Sequence, residues 1–299
     1  MHETSSMKTV LVTGSEGQLG QELTTLANNH GQYQFTFIDR DELDLSDKEA
    51  IDVFFQDQHF DIIINCAAYT AVDKAEQEPD LADAINHLAI KQIAERAQRQ
   101  NSKLIHISTD YVFDGTNHRP YTETDVTNPQ AVYGLSKLKG ELAVQQQMTD
   151  NAIIIRTSWV YSSFGSNFVK TMLGLGQTRD QLKVIFDQIG SPTYARDLAE
   201  AIMLIINHPE FTRESFQTTL YHYSNEGVSS WYDFAKIIFE LSNTNCTVSP
   251  IEMKDYPTPA KRPHYSVLNK TKIKQAFNIN IPYWQDSLKD CLKSLQEQN

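Results

Sequence analysis

Short apolar runs alternate along the first half of the chain with longer stretches whose apolar positions recur every three to four residues. The runs are residues 7–12, 34–38, 61–67, 103–108 and 152–157. Helical spacing fills residues 21–28, 48–58, 81–100 and 133–147. Ser46 or Asp47 suits the cap of the second of these helices. The run 61–67 is almost unbroken, as in a parallel strand buried on both faces. Strand and helix in alternation predict the α/β class: a Rossmann-like, doubly wound parallel sheet, with right-handed crossovers and its ligand at the carboxyl ends of the strands.

After Ser158 the rhythm becomes irregular. Residues 168–176, 195–207, 231–242 and 282–298 predict helices, and 183–186 a strand. Tyr256-Pro257-Thr258-Pro259 reads as a rigid extended loop. The division expected is a dinucleotide-binding domain over 7–166 and a smaller C-terminal substrate-binding part over 167–299. The two interleave, with elements near 195–226 returning to the main sheet.

Composition narrows the function classes. The net charge is −12 over 299 residues, which disfavours nucleic acid and anionic membrane as partners. A small phosphorylated ligand stays open, because backbone N–H groups bind phosphate without a basic surface. Cys66, Cys246 and Cys291 form no Cys-x-x-Cys pair, so neither a zinc site nor a disulfide framework is indicated. No run is long enough to span a bilayer, and residues 1–7 lack the apolar stretch of a signal peptide. A soluble cytoplasmic protein is expected, with Met7 a candidate start and residues 1–6 an extension.

Candidate chemistry begins at Gly14, Gly17 and Gly20, three apart between the first strand and the first helix. Tight turning and close approach to a pyrophosphate need glycine there, and the helix N-terminus faces the anion. Gln18 and Leu19 share that turn. Asp39 ends the second strand, where a carboxylate can bind a ribose 2′-hydroxyl. Arg40 beside it suits a 2′-phosphate, so NADH and NADPH both stay open. Asp44 and Leu45, and Ala67, Ala68 and Tyr69, are read as strand-end residues flanking the adenine and the nicotinamide ribose. Tyr133 and Lys137, four apart on a helix, project from one face. A ketone reduction needs a proton donor, and a nearby ammonium favours a tyrosine giving up its proton. Thr109, at the end of a strand, can hydrogen-bond the carbonyl.

These segments resemble the extended short-chain dehydrogenase/reductase family, and within it the reductases of nucleotide-linked keto sugars. The resemblance rests on residues 13–20, 65–76, 108–115, 133–137, 156–161 and 256–263, and runs from Met7 to near the C-terminus. It implies hydride transfer from NADPH or NADH, with Thr109, Tyr133 and Lys137 catalytic. Thr109 and Asp110 would contact the sugar, and Trp159 would pack on the sugar or its nucleotide. Asn167, Phe168 and Arg262 would line the nucleotide-diphosphate side. Some relatives place a metal such as Mg between subunits. Glu22 would be one of its carboxylates, but Arg196 stands about where the second is expected, so no metal ligand is assigned. The partners implied are the nucleotide sugar and, at most, a second copy of the chain.

Rivals of two classes, enzymatic and binding, share the fold. Sugar dehydratases carry a Glu after the Asp at Asp110; here Tyr111 follows. An epimerase would retain its cofactor through the cycle. Regulatory subunits related to that of methionine adenosyltransferase use the fold for binding alone.

Overall fold

The computed structural model describes residues 7–298; the candidate extension, residues 1–6, lies outside them. Five strands follow the expected order: β1 Lys8–Thr13, β2 Tyr33–Ile38, β3 Ile62–Asn65, β4 Lys103–Thr109 and β5 Ala152–Thr157. With the edge strand Thr219–His222 they form one six-stranded sheet, in which that edge strand is followed by β5, β4, β3, β1 and β2. Every pairing in it is parallel. The chain order therefore reverses beside β1, which lies between β2 and β3, and this is where an open α/β sheet leaves a crevice at its carboxyl edge.

Alternating strand residues feed two cores. Val10, Val12, Ile62 and Ile64 face one way, against helices Gln18–Ala27 and Ala195–Asn207. Leu11, Ile63, Leu104 and Ile154 face the other, against helices Lys48–Phe54, Ala89–Gln100 and Val132–Gln147. Burying one such side chain contributes ~1.5–3 kcal/mol, which is why the strands read as nearly continuous apolar runs. Asp47 caps the helix Lys48–Phe54 by accepting from Glu49 N and Ala50 N, which settles the choice between Ser46 and Asp47.

A third core gathers Tyr161, Val169, Leu182, Phe234, Val248, Trp284 and Leu288. Its elements include helices Phe168–Gly176, Trp231–Leu241 and Trp284–Glu297, and a parallel pair formed by Gln181–Ile185 and Thr247–Ile251. Besides residues 195–226, a later piece also packs against the main sheet: Ile273, Phe277, Ile279 and Ile281 lie in the first core. The helix carrying the first two, Thr271–Phe277, has seven residues, too short for a periodic signal.

Candidate active site

The glycine loop leaves β1 at its carboxyl end. Gly14 has φ +71°, and a Cβ on it would lie 2.6 Å from the Ala67 backbone nitrogen. A Cβ on Gly20 would lie 2.2 Å from the Gly14 carbonyl oxygen. The loop is thus pressed against the residues after β3 on one side and against its own helix on the other. That helix opens at Gly17 with no side-chain cap and no acidic residue in its first turn. Its leading N–H groups, at Gln18, Leu19 and Gly20, have no partner one turn back and carry the positive end of the helix dipole. Leu19 sends its side chain into the first core, so only its backbone serves this site.

At the end of β2 the Asp39 carboxylate accepts from Glu16 N at 2.8 Å and from Arg40 N at 2.7 Å. Arg40 has a side chain 78 % exposed and lies 3.5 Å from the Asp44 carboxylate. Asp39 and Arg40 line a cleft of about 400 Å³ together with Ser15, Glu16, Gln21 and Thr24. Asp44 and Leu45 correct the sequence reading. They sit on the loop between β2 and the next helix, not at a strand end. The Asp44 carboxylate is taken by Ser46, while Leu45 packs on the second core. Ala67, Ala68 and Tyr69 do follow β3. The Tyr69 main chain is held by the Asn86 side chain, and its hydroxyl donates to Glu78.

Beside this cradle β4 ends at Thr109, which is 5 % exposed. Helix Val132–Gln147 lies across the strand end because Gly134 and Gly140 let it approach. A Cβ on either would lie 2.2 Å from a main-chain oxygen, that of Tyr111 or of Asn86. Tyr133 and Lys137 face inward from this helix. Burial pushes the Tyr133 phenol up to about 12, and its hydrogen bond with Thr109 opposes that. Burial pushes the Lys137 ammonium down to about 8, with Glu141 and Cys66 opposing. Lys137 Nζ donates to the Ile107 carbonyl at 2.6 Å. Burial outweighs the groups that act on Tyr133 and favours its neutral phenol.

Asp110 is 2 % exposed and its Oδ2 has no hydrogen-bond partner among the described residues. Burial pushes its carboxyl up to about 6, against the hydroxyls of Ser266 and Thr109. Tyr111 sets its ring edge-on to Tyr133, centroids 5.5 Å apart. Residues 262–268 run past this point. Arg262 pairs with Asp73, Ser266 N donates to Ile189 O, and Tyr121 N donates to Val267 O.

An aromatic cluster packs on the third core. Trp159, at φ +49°, stacks on Trp231 with centroids 3.7 Å apart, and Phe168 leans on Trp231 at 4.7 Å. Gly190 makes room for the Trp159 ring, since a Cβ there would lie 2.7 Å from it. Asn167 caps helix Phe168–Gly176 through Lys170 N and donates to Gln18 Oε1 at 3.0 Å. Asn167 and Gln18 therefore tie this part to the glycine loop.

A family model described as "RmlD substrate binding domain" matches residues 7–297. The chain belongs to the RmlD substrate binding domain family. It is 43 % identical over 291 residues to the dTDP-4-dehydrorhamnose reductase of Aggregatibacter actinomycetemcomitans, covering 95 % of this chain and 98 % of that one. Among solved structures it is similar to a dTDP-4-dehydrorhamnose reductase of Clostridium acetobutylicum, with TM-score 0.90 and 39 % identity over 96 % of this chain and 99 % of that one. It is likewise similar to the dTDP-4-dehydrorhamnose reductase of Bacillus anthracis in complex with NADP. There the TM-score is 0.89 and the identity 37 %, over 96 % and 99 % of the two chains.

In this RmlD-family chain the glycine cradle that a Cβ would fill, and the uncapped helix start above it, fit the pyrophosphate of a nicotinamide dinucleotide. At the candidate metal position, Arg196 Nη1 lies 3.7 Å from the Glu22 carboxylate, which also accepts from Ser162 at 2.5 Å. A cation already faces that carboxylate. Sequence reasoning overlooked Trp231, Asp73 and Ser266. Trp231 opens a helix behind the capping box of Ser230 and Asp233, so it reads as an ordinary first-turn residue. Asp73 lies within the segment 65–76, and its pairing with a residue 189 positions away leaves no local signal.

Proposed function

We propose that this chain is a reductase that converts dTDP-4-dehydro-L-rhamnose to dTDP-L-rhamnose with NADPH or NADH. One observation carries the reading. Thr109, Tyr133 and Lys137 meet at the end of β4, beside a glycine cradle, in a member of a family whose near-full-length relatives bear that name.

The residues divide the work. The N–H groups of residues 18–20 and the glycine turn hold the pyrophosphate; Asp39 takes the ribose hydroxyl and Arg40 a 2′-phosphate. When bound, the reduced nicotinamide supplies the hydride for C4 of the sugar. Tyr133 holds its proton at the C4 oxygen, and Thr109 donates a hydrogen bond to that oxygen. A phenol raised to about 12 keeps its proton until charge develops on the carbonyl oxygen, so the donor is loaded at neutral pH. Lys137 steadies the ribose and supplies positive charge beneath the phenol. Asp110 and the Trp159–Trp231 wall shape the sugar site, with Asn167, Phe168 and Arg262 toward the nucleotide. Residues 7–166, with the returning elements, serve the cofactor, and the third core carries the substrate side. We place the enzyme in the cytoplasm, as a monomer or homodimer.

The test is to mix protein, NADPH or NADH and dTDP-4-dehydro-L-rhamnose, and to follow nicotinamide absorbance alongside product. One cofactor oxidised per sugar reduced is expected. An altered sugar that keeps its carbonyl, with no net cofactor oxidation, would make it an epimerase, and no turnover with intact cofactor binding would favour a binding module.

A further inference from the structure

A buried polar layer lies beneath the reacting groups. Near the carboxyl ends of neighbouring strands stand His106 and Ser108 on β4 and Arg156 on β5, each no more than 3 % exposed. Glu141, 1 % exposed, stands over them from helix Val132–Gln147. It accepts from Ser108 Oγ at 2.5 Å and Arg156 Nε at 2.8 Å on one oxygen, and from Arg156 Nη2 at 2.6 Å on the other. Glu141 lies one turn after Lys137 and two after Tyr133, on the same helix face. Three consecutive residues of β4 thus act in series: the Ile107 carbonyl holds Lys137, Ser108 holds Glu141, and Thr109 meets Tyr133.

Stability alone is a weak reason for such a pair. Two buried charges cost desolvation that their attraction roughly offsets, and apolar residues of similar volume often serve as well. The charges around Lys137 suggest another reason. Cys66, at the end of β3, is a thiol pushed up to about 12 by burial, and His106 is pushed well down, so both are neutral. Tyr133 is neutral and Arg156 is a second cation. Segment Ala84–Leu88 contributes the uncharged Asn86 amide, which reaches Ser136. Glu141 is the anion of this set.

We propose that Glu141 is a positioning residue for the reduction: anchored by Ser108 and Arg156, it holds Lys137 as an ammonium at the Ile107 carbonyl and keeps the Tyr133 helix in register with Thr109. This rests on the reductase reading, so its main readout uses the free protein. With ε-¹³C-labelled lysine, the Lys137 signal, assigned by its loss in Lys137→Met, titrates near about 8 in the parent. In Glu141→Gln the titration moves ~1–3 pH units lower, as removal of an opposite charge one helical turn away requires. The alkaline limb of kcat moves the same way, with KM for the nucleotide sugar little changed. Glu141→Asp, which keeps the charge, restores part of the lysine titration. Should Glu141→Gln not fold, Glu141→Gln with Arg156→Met removes both charges and leaves neither buried alone; a downward shift is expected there too. An unmoved Lys137 titration in whichever of these variants folds overturns the proposal. A parent that reduces no keto sugar fails the reductase reading alone, because the titration is read without substrate.

Discussion

Arg262 and Asp73 hold each other through two parallel hydrogen bonds, Nη1 to Oδ1 at 2.9 Å and Nη2 to Oδ2 at 2.8 Å. The contact ties the late Pro-rich loop to the segment after β3, beside Tyr111. An arginine proposed for a diphosphate is thus pre-aimed by a carboxylate with the same forked geometry. Arg262→Lys keeps the charge and loses the fork. It should raise KM for the nucleotide sugar ~10-fold with a smaller change in kcat. Equal KM values would take Arg262 out of the substrate site. Arg262 also holds the Asp73 carboxyl below the usual carboxylate range. A depressed folded value stabilises at neutral pH, and that contribution is lost as pH falls through it. Arg262→Ala should therefore narrow the thermal-stability gap between pH 7 and pH 3.

Gly14 offers a sharper structural test. An alanine there must hold φ +71° and push its Cβ to 2.6 Å from Ala67 N. The dihedral alone costs ~1–2 kcal/mol, and the clash moves the loop after β3. Gly14→Ala should lower the melting temperature and weaken NADPH binding at least ~10-fold by calorimetry. Parent-like affinity would mean that the cradle tolerates a side chain.

How far the sequence disclosed this architecture depends on local signal. Residues 152–157, 168–176 and 195–207 were legible to the residue, because a continuous apolar run marks the first and a helical apolar period the other two. Thr219–His222 was not read as a strand. It is a four-residue edge strand that ends in a polar residue, the fully buried His222, so it has neither length nor a long apolar run. At the site, Thr109, Tyr133 and Lys137 were legible because their spacing is local or tied to strand ends. Glu141–Arg156 and Asp73–Arg262 join separate elements, and only the folded chain brings them together.

Arg40 is the residue we assign to cofactor preference. Its side chain is largely exposed, and its companion Asp44 lies at 3.5 Å, so it can swing toward a 2′-phosphate at little cost. Arg40→Ala should weaken NADPH a few-fold and leave NADH nearly unchanged, an effect of ~1 kcal/mol. Calorimetric titration of both cofactors decides it, and equal loss for both would remove Arg40 from cofactor discrimination.

For Tyr133 the relevant change is Tyr133→Phe, which keeps the ring beside Tyr111 and deletes the hydroxyl. Positioned acid catalysis is worth ~10²–10⁴-fold, so kcat should fall by about that much while cofactor affinity holds. Near-parent turnover would move the donor role elsewhere, with Thr109 and a bound water next in line.

Asp110 couples function to a stability cost that has a sign. Burial raises its carboxyl from 3.8 to about 6, and its Oδ2 has no partner among the described residues. The folded value lies above the unfolded one, so the folded state takes up the proton first as pH falls. At pH 8 both states are ionised and the folded protein carries the full penalty, ~3 kcal/mol for a gap of that size. The penalty fades as pH falls through about 6 and is gone below 3.8. Asp110→Asn removes the charge and keeps the shape. It should melt higher than the parent at pH 8, with the difference shrinking steadily toward pH 4. The same variant should bind the sugar more weakly, since the unpartnered oxygen is the acceptor we assign to a substrate hydroxyl. A stability gap that stays constant from pH 8 to pH 4 would show that the carboxylate is paired after all, and unchanged KM would show that the oxygen does not meet the sugar.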